Sequence, residues 1–79
     1  MAQIELTSSQ YRKIERAVKA LNDARSEIQK QNPNMNINWY LEAQGNLNLM
    51  EDKSHVDDSP NHDAVIDLFY LDSSSGGGW

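Results

Sequence analysis

The feature that most constrains this chain is an amphipathic stripe that ends at a proline. Tyr11, Ile14, Val18, Leu21 and Ile28 recur at steps of three, four, three and seven, with Arg25 in the skipped place. Side chains so spaced share one face of an α-helix. Thr7 offers its hydroxyl as N-cap, and Gln10 stands three residues on, the spacing of a capping box, so the helix is expected to begin at Ser8. Asn32 and Pro33 end it, because proline disfavours the helical region for the residue before it and cannot donate the next bond. Such a helix spans ~36 Å and takes nearly a third of a 79-residue chain.

Past Pro33 the period switches to two. Met35, Ile37, Trp39, Leu41 and Ala43 alternate with Asn36, Asn38, Tyr40 and Glu42, which predicts a strand. Gln44, Gly45 and Asn46 supply a turn, and Leu47 and Leu49 resume the alternation. A three-residue loop setting Ala43 opposite Leu47 and Leu41 opposite Leu49 keeps the apolar residues on one face, and sets Tyr40 opposite Met50. Residues 51–63, EDKSHVDDSPNHD, are expected to form a solvated loop. Residues 64–71, AVIDLFYL, are apolar on both sides except at Asp67, and predict a last strand central in its sheet or covered on both faces. Ala2 to Leu6 also alternates and reads as a short opening strand.

These segments make an α+β fold of β-α-β-β-β order, with one long N-terminal helix packed on one face of a small, mainly antiparallel sheet. A crossover through the helix would make the first two strands parallel. Residues 1–72 are expected to be a single domain, and 73–79, SSSGGGW, a flexible tail ending in Trp79.

Catalytic and metal chemistry find little footing. The chain has no cysteine, which removes disulfides, thiol catalysis and thiolate zinc sites. His55, Asp57, Asp58, His62 and Asp63 put five metal-ligating side chains within nine positions, but the spacing fits neither a helical histidine pair nor a calcium loop. Serines 54 and 59 flank them without a strand-to-helix elbow or an oxyanion glycine. The expectation is a protein without enzymatic activity, cofactor or metal; a metal-dependent enzyme using His55 and His62 is the distant alternative.

Charge is more telling. Residues 1–31 carry six bases and four acids, net +2, whereas residues 32–79 carry one base and eight acids, net -7. The overall -5 disfavours direct nucleic-acid binding or an anionic membrane. No run approaches the ~20 apolar residues of a membrane span. The first residues lack a secretory pattern, so the expected compartment is the cytoplasm. Arg12, Arg16 and Lys19 crowd the first half of the helix, against the helix dipole, and suit an acidic surface on a partner or on another copy. Tyr40 and Met50 are expected on the sheet face away from the helix, joined by Val65, Phe69 and Leu71 if Asp67 marks the outward side, and such a patch is expected to bind a partner or a second copy. Without the tail and the polar loop, about 60 residues remain for a core, a size that commonly needs oligomerisation, most simply a two-fold homodimer.

In size and acidity the chain is similar to many small inhibitor and immunity proteins of phages and mobile elements. The leading expectation is a protein-binding inhibitor or regulator that blocks a larger macromolecule by occupying its surface. The alternative is a DNA mimic presenting Glu51, Asp52, Asp57, Asp58, Asp63 and Asp67 in place of phosphates.

Overall fold

The computed structural model describes residues 2–42 and 45–72. Helix α1 runs Ser8–Gln31, as its stripe predicts. The capping box is formed: Gln10 N–H donates to Thr7 Oγ1 at 3.1 Å, and Thr7 N–H to Gln10 Oε1 at 3.0 Å. At the other end Asn32 N–H is shared between Ile28 O and Gln29 O, and its side-chain amide also donates to Ile28 O at 3.0 Å, satisfying carbonyls that the helix end would leave open.

Strands β1 (Asn38–Leu41), β2 (Asn46–Met50) and β5 (Val65–Tyr70) form one antiparallel sheet in the order β1-β2-β5. Between β2 and β5, β3 (His55–Val56) and β4 (Ser59–Pro60) pair as a separate ribbon. The fold is α+β, with the helix lying along β1. Trp39 Nε1 donates to Leu21 O at 3.2 Å, Arg25 Nη1 to Ile37 O at 3.2 Å, and Gln29 Nε2 to Met35 O at 2.8 Å. The two elements stay in step because four helical residues advance about 6 Å and two strand residues about 6.6 Å. They run antiparallel, so β1 ends at Leu41, four residues' worth of helix beyond Leu21, and the first turns of α1 project past it. No residue of α1 is buried. Ile37, Leu49, Met50 and Ala64 make the apolar core, with Asn48 buried among them.

Four expectations need correction. Residues 2–6 form no strand, and Ile4 is 87% exposed; the parallel crossover disappears with that strand, leaving an antiparallel sheet. The hairpin sets Leu41 opposite Leu47, Trp39 opposite Leu49 and Tyr40 opposite Asn48. This differs from the expected register by two residues, an even shift, so every side chain keeps its face. Glu42 N–H bonds Asn46 O at 3.0 Å, and Gly45 takes a φ of 84° that glycine adopts without a Cβ penalty. Leu47, expected opposite Ala43, thus pairs with Leu41, and the 73–79 tail lies outside the described residues. The polar loop contains the β3–β4 ribbon, turned by Asp57 (φ 51°) and Asp58 (φ 64°), the two left-handed positions of a type I′ turn.

The fourth correction concerns β5, which is an outer strand with β2 central. A bulge at Leu49/Met50 sets Asp67 opposite Leu49 and Val65 opposite Met50. Asp67 and Phe69 therefore share the face of Trp39, whose ring meets Phe69 edge-on at 6.1 Å. An outer strand invites pairing with other chains. Asp67 blunts it, since its Oδ1 accepts the N–H of Leu68 at 2.8 Å. Asp67→Val is expected to expose that amide on an apolar strand and raise the aggregation rate several-fold, read by light scattering during incubation at fixed concentration.

Candidate functional site: a cleft and a helical face

Two surfaces stand out. The first is a cleft of about 280 Å³ where the ribbon folds against the sheet face away from α1. Strand alternation sends Tyr40 and Met50 to this side, and the bulge brings Val65 with them. Asn61 holds the ribbon's base closed, donating its N–H to Ser54 O at 2.8 Å and its side-chain amide to Lys53 O at 2.9 Å. The ring of His55 then stands nearly perpendicular to that of Tyr40, at 81° and 5.6 Å between centroids. Ser54 Oγ lies 3.0 Å from His55 Nδ1.

Glu42 enters the same wall. Asn48, only 3% exposed, donates to Glu42 Oε1 at 2.9 Å and to Tyr40 O at 3.4 Å, while Asn46 donates to Glu42 Oε2 at 3.3 Å. A buried asparagine must find partners for its amide, and Asn48 finds one in the Glu42 carboxylate, which it and Asn46 thereby orient. His62 also lines the cleft. Among the described residues, no three histidine, aspartate or glutamate side chains are placed to hold a metal ion.

The second surface is the first half of α1. Tyr11, Ile14 and Val18 are 55%, 53% and 51% exposed, a continuous apolar stripe with no strand beneath it among the described residues. Arg12 and Arg16 lie exposed beside it. Lys19 is engaged with Asp23 in an exposed pair at 2.8 Å, and that hydrogen bond, then the charge of Asp23, holds the lysine above its usual range.

The residues expected to form one partner patch are thus divided. Tyr40, Met50 and Val65 come together in the cleft, where Met50 is 2% exposed and forms its floor rather than its surface. Phe69, 48% exposed, lies on the opposite face, and Leu71 follows the end of β5, also exposed. Sequence reasoning missed Glu42 and the Tyr40–His55 contact. The signal available was His55-Val56 and Ser59-Pro60 bracketing two aspartates, residues that tolerate the left-handed region. No helix among the described residues is long and apolar enough to cross a membrane. No family model matches this chain, and neither the curated proteins nor the solved structures contain a match.

Proposed function

We propose that the chain is a non-enzymatic protein-binding module, a small acidic inhibitor or regulator of the phage or mobile-element type. It acts in the cytoplasm by occupying a surface of a larger macromolecule, and it works as a two-fold homodimer closed through α1. The observation that supports this reading is the half-exposed Tyr11-Ile14-Val18 stripe on a helix whose hydrogen bonds to the rest of the described residues run from Leu21 onward. Exposed apolar surface on this scale, over a core to which the described residues contribute four apolar side chains, is what a partner chain removes from water. A two-fold arrangement satisfies both copies at once.

Closure through α1 leaves the far side of the sheet, with Tyr40 and the acidic ribbon, for the macromolecule. Tyr40→Ala is expected to weaken capture of a partner from host lysate about tenfold or more at both low and moderate salt while leaving the fold intact. If capture survives Tyr40→Ala but is lost in the triple Asp57→Asn, Asp58→Asn, Asp63→Asn variant, and falls steeply with salt in the wild type, the chain is a DNA mimic instead.

A further inference from the structure

We infer that the cleft beside the β3–β4 ribbon binds the guanidinium group of an arginine side chain presented by a partner polypeptide. The inference rests on the reading above only in taking the ligand to be part of a protein. Its chemistry comes from the walls. Glu42 supplies a carboxylate oriented by Asn48 and Asn46, which occupy one acceptor site on each oxygen and leave others for a forked donor. Tyr40 and His55, set at 81°, form an aromatic corner against which a planar cation can lie. Met50 and Val65 provide apolar floor for the methylene stem.

Size and charge narrow the choice. A volume of about 280 Å³ takes one long side chain and little more. Among the described residues, neither lysine nor arginine lines the cleft, so no side chain of those two types answers Glu42 there. A bare ammonium would satisfy the carboxylate but would use the aromatic corner poorly, because it has no plane to stack. Glu42 alone would be a surface acid of no special meaning; its fixed orientation beside two rings over an apolar floor is what specifies the ligand.

The test is an NMR titration of the full chain with N-acetyl-arginine-N-methylamide, alongside the corresponding lysine and citrulline compounds and free arginine. Saturable shifts at Tyr40, Met50 and His55 are expected, with a dissociation constant on the order of 1 mM, as befits one isolated side chain. Citrulline, which keeps the shape and loses the charge, is expected to bind at least about tenfold more weakly. Glu42→Gln and Tyr40→Leu are each expected to lose a similar factor with the rest of the spectrum preserved. Citrulline binding as well as arginine would overturn the assignment, as would unchanged affinity in either variant or the absence of saturable shifts in the cleft. Tighter binding of free than of capped arginine would overturn the polypeptide source. The Ile14→Asp chain is expected to titrate like the wild type, so failure of the α1 dimer and failure of the arginine site are separately visible.

Discussion

Trp39→Ala is expected to cost about 3 kcal/mol of folding stability, the lower end of the range for a large aromatic because the ring is half-buried. This residue joins the helix to the sheet. Its indole N–H ends on Leu21 O, and its ring meets Phe69 across β2. Truncation removes the hydrogen bond, the edge-on aromatic contact and the apolar area together. A domain of this size has about 5 kcal/mol to lose, so the variant should keep only about 2 kcal/mol and unfold at a much lower urea concentration than the wild type. Urea unfolding followed by circular dichroism checks it. A loss under about 1 kcal/mol would mean that the helix is held chiefly through Arg25 and Gln29.

Ile14→Asp is expected to have the opposite profile. Ile14 is half-exposed in a single chain, so the substitution should change the stability of one subunit by no more than about 0.5 kcal/mol. In a dimer closed through α1 the same position is covered, and an aspartate there becomes a desolvated charge. That costs on the order of 3 kcal/mol or more, and two-fold symmetry imposes it twice. Association should weaken at least about a hundredfold. Moderate salt should not restore it, since the loss is one of burial rather than of long-range charge.

The contrast between these two substitutions follows the division between what local sequence specifies and what it does not. Helix α1 was legible to the residue, because its stripe, the Thr7–Gln10 box and the Asn32–Pro33 stop are all local signals. The faces of β1 and β2 were legible through their alternation, and survived a shift of register because the shift was even. The place of β5 was not. An apolar run on both faces reads alike whether its cover comes from the same chain or from another, and AVIDLFYL lies at the sheet's outer edge. The run from Ala2 to Leu6 had the right alternation but gains strand structure only where an edge receives it. The cleft was the least legible feature, since Tyr40, Glu42 and His55 meet through the Asp57–Asp58 turn and the bulge in β2. Neither leaves a strong local mark.

The helix itself divides into two halves in this way. From Leu21 onward, α1 lies beside Trp39 and the segment leading into β1 at matched spacing, and its side chains Arg25 and Gln29 bond to the backbone of Ile37 and Met35. Before Leu21 the apolar periodicity continues with nothing among the described residues to cover it. The pattern in the sequence is uniform over both halves, and the chain alone satisfies one.

Sedimentation equilibrium of the wild-type chain and of Ile14→Asp, each over a wide dilution series, tests the α1 dimer most directly. The wild type is expected at twice its 9.0 kDa mass at high concentration, falling to 9.0 kDa on dilution, and Ile14→Asp at 9.0 kDa throughout with an unchanged circular dichroism spectrum. A wild-type mass of 9.0 kDa at every concentration, or an Ile14→Asp chain that still dimerises, would contradict the account.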